Sequence, residues 1–127
     1  MLEINDEQFS EIISKAMDEL PQKYIEKLNN VAITYEDNPS LEQRKKLSLR
    51  CDQTLFGLYE GIPLTSRGSG YNLVLPDKIT IFKQPILNFS SNLQQVFIQV
   101  KHTLWHEIAH YFGLDHDRIH QIERNWK

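Results

Sequence analysis

Residues 106 to 116 read His106-Glu107-Ile108-Ala109-His110-Tyr111-Phe112-Gly113-Leu114-Asp115-His116, the pattern H-E-x-x-H-x-x-G-x-x-H without a gap. Imidazoles and a carboxylate at these spacings point to metal chemistry. On a helix, four-residue spacing puts His106 and His110 one turn apart on the same face, close enough for both rings to reach one ion. Glu107 then lies about 100° round the helix from His106 and about 60° from His110. There it flanks the ion and suits a general base for a metal-bound water, whose pKa zinc lowers to about 7.

A straight helix cannot return a ligand ten residues beyond the first to the same ion. The helix must therefore stop and the chain must turn. Gly113 suits that turn, because glycine enters the left-handed conformation of a helix C-cap without steric cost, and His116 becomes the third ligand. Three protein ligands and one open position describe a catalytic zinc site, whereas a structural site closes the fourth position, usually with cysteine. The single cysteine, Cys51, is far away in the sequence.

H-E-x-x-H alone also arises by chance on amphipathic helices. Gly113 and His116 make the pattern far more specific, and all five histidines fall between positions 102 and 120. His102, one turn before His106, reads as a residue that lines the cleft or supports a ligand, because three ligands already suffice. Asp117 and His120 are fallback third ligands, or partners that orient an imidazole. Tyr111 and Arg118 are placed to stabilise developing charge, and Tyr111 also fits the apolar stripe of its helix.

The elements that must hold these groups follow from periodicity. Leu93, Val96, Phe97, Val100, Leu104, Ile108 and Tyr111 form one helical stripe, widened by Trp105, Ala109 and Phe112. Ser91 with Gln94 marks the start of this helix as a capping box. So wide an apolar arc must lie against a sheet, leaving a narrow face for His102, His106 and His110. Beyond Gly113, residues 117 to 127 form a short helix on which Ile119, Ile122 and Trp126 pack back.

Near the N-terminus, Phe9, Ile12, Ile13, Ala16, Met17 and Leu20 mark a first helix, opened by an Asn5/Gln8 capping box and an Ile4/Phe9 staple and ended by Pro21. Tyr24, Ile25 and Leu28 suggest a further turn. Alternation from Val31 to Tyr35 predicts a first strand, closed by a turn at 36–39. Residues 40–50 have few apolar positions and read as helix or loop, with Ser40 and Gln43 as a helix start. Residues 55–61 predict a second strand in which Gly57 marks a bulge or a close backbone approach. Thr65 to Gly70 reads as a loop with no phosphate-cradle context. Lys78 to Lys83 predicts a third strand, ended by Pro85.

At 127 residues the chain has room for one domain, 1–127. Its 24% charged and 40% hydrophobic residues fit an ordinary globular protein. A formal charge of −3 argues against nucleic acid as a partner, and the short Arg44-Lys45-Lys46 run reads as a solvated face. The acidic N-terminus lacks the basic start and apolar run of a secretory signal, and no segment approaches membrane-spanning length. With a lone cysteine, these features lead us to expect a cytoplasmic protein with no membrane partner.

The segments Leu58-Tyr59-Glu60-Gly61-Ile62-Pro63-Leu64, Leu75-Pro76-Asp77-Lys78-Ile79-Thr80-Ile81-Phe82 and Thr103 through Leu114 resemble, in order and spacing, the small bacterial zincin-like proteins called minimal metalloproteases. The resemblance implies an α/β (α+β) fold: a small mixed sheet of three to four strands on two main helices, the second carrying the metal ligands. It also implies metallopeptidase activity. Two features depart from related patterns. Many members of that family have aspartate where this chain has His116, which brings the third ligand closer to the metzincin pattern. Metzincins proper have a methionine turn after their third histidine, and here no methionine follows Met17.

The expected function is a zinc-dependent peptidase: His106, His110 and His116 hold one catalytic zinc ion, Glu107 is the base, and a peptide or protein substrate docks by strand addition at the Lys78 to Lys83 strand. The alternative is a catalytically silent metal-binding protein that keeps the scaffold as a protein-interaction module.

Overall fold

The computed structural model describes residues 2–48, 56–61 and 77–124, with side chains for all of these except Leu47, Ser48 and His116. Helix α1, Asp6–Glu19, starts at the expected capping box. Asn5 Oδ1 accepts from the Gln8 N–H at 2.8 Å and Gln8 Oε1 accepts from the Asn5 N–H at 3.0 Å, a pairing worth about 1 kcal/mol. Its stripe buries Phe9, Ile13 and Ala16. Leu20 caps the end, and Pro21, which cannot continue the hydrogen-bond ladder, leads into the single turn α2, Gln22–Ile25.

Strand β1 is Val31–Glu36. Helix α3, Leu41–Ser48, resolves the helix-or-loop segment in favour of helix; its start is the reciprocal Ser40/Gln43 pair. Strand β2 is Gly57–Glu60 and strand β3 is Asp77–Phe82. The sheet of described strands has the order β1-β3-β2, with β1 parallel and β2 antiparallel to β3. It is therefore the expected small mixed sheet.

Three expectations need correction. The third strand does not end at Pro85: it ends at Phe82 and passes directly into helix α4, Lys83–Asn88. Pro85 sits in the first turn of α4, where an N–H has no intrahelical acceptor and proline costs little. The long helix α5, Leu93–Tyr111, begins one residue later than Ser91 predicted. Asn92 is its cap, accepting from the Gln95 N–H at 2.9 Å while Gln95 Oε1 accepts from the Ser91 N–H at 2.6 Å. Leu93, expected in the buried stripe, is 56% exposed, because the first turn of α5 projects beyond the core.

Strand alternation divides the sheet into two faces. Ile79 and Ile81 of β3 join Phe9, Ile13, Val100, Leu104, Trp105 and Ile108 in the main core, so α1 and α5 lie side by side on this face. Lys101 Nζ and Glu19 Oε1, 3.5 Å apart, link the two helices at their rim. On the opposite face Leu58 and Phe82 form a small separate cluster. Helix α6, His116–Glu123, completes the described chain, burying Ile119 and Ile122 as anticipated. Trp126, Cys51 and the loop expected at 65–70 lie outside the described residues. Among the described residues, no helix is long and apolar enough to cross a membrane.

Candidate metal centre

Helix α5 is buried along most of its last three turns, where Thr103, Leu104, Trp105, Glu107, Ile108, Ala109 and Tyr111 lose contact with solvent. Trp105 packs edge-on against Tyr24, ring centroids 5.2 Å apart, and fixes the helix on its α2 side. The face left over carries His106 and His110, both half-buried. Their rings stand 4.8 Å apart between centroids with planes at 76°. One donor atom from each of His106, Glu107 and His110 falls within 4.8 Å of the other two. The four-residue spacing thus does what it predicted, bringing both imidazoles to one place with the carboxylate beside them.

Glu107 has no exposed surface. A carboxylate is held in such a place only where charge or hydrogen bonding offsets its lost hydration. A divalent cation held by the two imidazoles would lie beside the carboxylate and supply such compensation, and imidazole nitrogen is a donor that zinc accepts. The donor set therefore fits a metal ion such as zinc.

The end of the ligand helix is fixed by two devices. Tyr111, adjacent to His110, is fully buried. Its hydroxyl lies 3.3 Å from both the N–H and the carbonyl oxygen of Asn29, just before β1, which assigns it to the core. Gly113 then adopts φ 71°. Its N–H bonds to the His110 carbonyl and the Leu114 N–H reaches the Ala109 carbonyl, each at 3.0 Å, the two bonds of a Schellman turn. The glycine corner is where the spacing placed it.

Beyond the corner, Asp115 Oδ1 accepts from the Arg118 N–H at 2.8 Å and caps α6. His116 is the first residue of that helix, so its backbone is carried by a helical turn and not by a loop; its side chain lies outside the described set. The fallback ligands do not join the cluster: Asp117 and His120 are exposed on α6, and His120 Nδ1 lies 3.7 Å from Glu123 Oε2. Arg118 is also exposed and bonds Gln121. His102 is exposed and outside the cluster.

The family model described as zincin-like metallopeptidase matches residues 28–126. The chain belongs to this family. Its fold is similar to that of a conserved hypothetical protein from T. thermophilus, with a TM-score of 0.53 and 20% identity, over 86% of this chain and 94% of that one. At that identity the likeness speaks for the fold alone. No curated protein matches the sequence. Membership of the zincin-like metallopeptidases and the His106/Glu107/His110 group are both compatible with a metal ion at this place.

Periodicity and motif gave no account of the groups that support the cluster. The Tyr59 hydroxyl donates to Asp77 Oδ2 at 2.6 Å, and the Tyr59 ring meets Tyr111 edge-on at 6.2 Å, tying β2 and β3 to the end of α5. Gly57 of β2 lies directly over α5: an added Cβ would stand 2.5 Å from Thr103 Cγ2 and 3.4 Å from Glu107 Cγ. Of the two readings of a glycine within a strand, the close approach is observed. The pairing of β2 with β3 runs through Gly57 opposite Ile81 without a bulge.

Proposed function

We propose that the protein is a zinc-dependent peptidase in which His106, His110 and His116 hold the ion and Glu107 is the general base. The observation that carries this reading is the convergence of His106, Glu107 and His110 donors within 4.8 Å on one helical turn. Family membership supports it. A bound zinc ion would polarise a substrate carbonyl and ease deprotonation of a water. The protein supplies position. The two imidazoles, fixed by one helical turn, set the place of reaction, and the Glu107 carboxylate accepts the water proton there and returns it to the departing amine nitrogen.

Substrate docking cannot use β3, because that strand is paired on both sides. This overturns the expectation that Lys78 to Lys83 forms an open edge. Among the described strands β2 is an outer one, and its Gly57 touches the ligand helix. An extended peptide added beside β2 would therefore lie nearest Glu107.

The test has two parts. Elemental analysis of protein prepared without added metal should give about one zinc per chain, sharply reduced in His116→Ala. A peptide-library digest should show cleavage that chelator removes, and Glu107→Gln should keep the zinc while losing about 10²- to 10⁴-fold in turnover. A variant as active as the parent would remove Glu107 from the mechanism.

The second reading, a metal-binding module without turnover, draws on the complete burial of Glu107, since a base must reach water. It predicts a zinc-loaded protein that leaves the library uncut. A purely structural ion predicts instead that chelator lowers the melting temperature.

A further inference from the structure

Gly57 needs an explanation that backbone conformation does not give. Among the described residues the glycines with positive φ are Gly61 and Gly113. Gly57 has ordinary strand geometry that any residue adopts, in unbroken register with β3. What excludes a side chain is space. An added Cβ would stand 2.5 Å from Thr103 Cγ2, 3.3 Å from the Thr80 carbonyl oxygen and 3.4 Å from Glu107 Cγ. The first distance is well inside van der Waals contact, and the atom it strikes belongs to a threonine only 4% exposed, which has no room to retreat.

Thr103 and Glu107 are four residues apart on α5, so they lie one above the other on the same helical face. Gly57 covers both. A Cβ placed on the strand here would strike the Thr103 methyl and reach the aliphatic stem of Glu107 at once. A stem packed on that side leaves its carboxylate fewer directions to take.

We propose that Gly57 is a positioning residue: its missing side chain lets β2 close onto Thr103 and the Glu107 stem, and this contact fixes where the Glu107 carboxylate stands relative to His106 and His110. The inference rests on the base role proposed for Glu107 and adds the element that orients it. The helical turn that carries the two imidazoles is seated by Trp105, Ile108 and Tyr111, all fully buried. Disturbing Gly57 should therefore move the base more than the ligands.

The experiment compares the full-length protein with Gly57→Ala, Thr103→Ser and the double variant. Its readouts are melting temperature, zinc affinity by chelator competition, and kcat and KM on a peptide cleaved by the parent. Gly57→Ala should lower the melting temperature by about 5–10 °C through overpacking. It should lower kcat by about 10- to 100-fold while KM and zinc affinity stay within about threefold. Thr103→Ser removes the methyl that the new Cβ strikes, and the double variant moves one methyl from helix to strand at constant volume. It should recover both melting temperature and kcat beyond the sum of the single changes.

Parent-like melting and turnover in Gly57→Ala would overturn the proposal. So would recovery of melting without recovery of kcat, or a loss of zinc affinity as large as the loss of kcat. Should Gly57→Ala fail to fold, the double variant decides: it must fold and turn over. Should the parent cleave nothing, the peptidase reading fails by itself. The contact is then judged by melting alone: recovery in the Gly57→Ala/Thr103→Ser double variant supports the close approach of β2 to Thr103, and strictly additive losses overturn it.

Discussion

The two faces of the sheet are built on different principles. On one, Ile79 and Ile81 meet the apolar stripes of α1 and α5 in a single continuous core. On the other, among the described residues, the apolar contact is the Leu58/Phe82 pair. Beside it run ion pairs, Lys46 with Glu60 and Lys78 with Glu36 at 3.6 Å. The metal cluster belongs to the first face. The clustered histidines are mounted on a helix with a deep apolar seat, while among the described residues the other face is held by one apolar pair and by part-exposed ion pairs.

This contrast can be broken from either side. Ile108→Ala empties fully buried volume directly behind the ligands and should cost about 2–5 kcal/mol, measured by denaturant unfolding. A loss below about 1 kcal/mol would mean that the core face is not the stronger one. Gly113→Ala puts a Cβ on a backbone at φ 71°. It should cost about 1–2 kcal/mol and, on the ligand set proposed above, weaken zinc binding about tenfold as the corner before His116 relaxes; chelator competition measures this.

The smallest effect belongs to the far face. Burial would raise the Glu60 carboxyl, but the Lys46 hydrogen bond and charge, the Gln43 hydrogen bond and the Lys78 charge outweigh it and hold the group below its ordinary value of 4.5. A depressed carboxylate stabilises the fold above its unfolded pKa and loses that contribution as pH falls through its folded one. Lys46→Met should therefore cost at most about 1 kcal/mol near neutrality. Melting curves should show the difference from the parent shrinking as pH drops below 4.5. A difference that grows in acid would contradict the assignment.

What could be read from the sequence was local. The Asn5/Gln8 box, the Ser40/Gln43 box, the His106/His110 spacing and the Gly113 corner each depend on residues within a turn or two of one another, and each stands where its spacing put it. Two errors arose from equally local rules applied one step too literally. Pro85 was read as a stop, although the first turn of a helix tolerates it. Ser91 was preferred to Asn92, although both have a glutamine three residues on.

The position of β3 inside the sheet was not legible, because Val31 pairs with Asp77 across a long stretch of chain that periodicity does not register. The contact of Gly57 with Thr103 and Glu107 was legible only as a glycine out of place. Its partners sit on another element, and only the folded chain brings them together.

Helix α1 carries no group that chemistry would use, and the family match begins at residue 28, after it has ended. Yet Phe9, Ile13 and Ala16 are the neighbours against which α5 is seated. A fragment trimmed to the matched region would leave Val100 and Leu104 wet along one side. The recognisable signature of this protein thus omits part of its own foundation, and shortening the chain to that signature would strip the ligand-bearing helix of half its apolar seat.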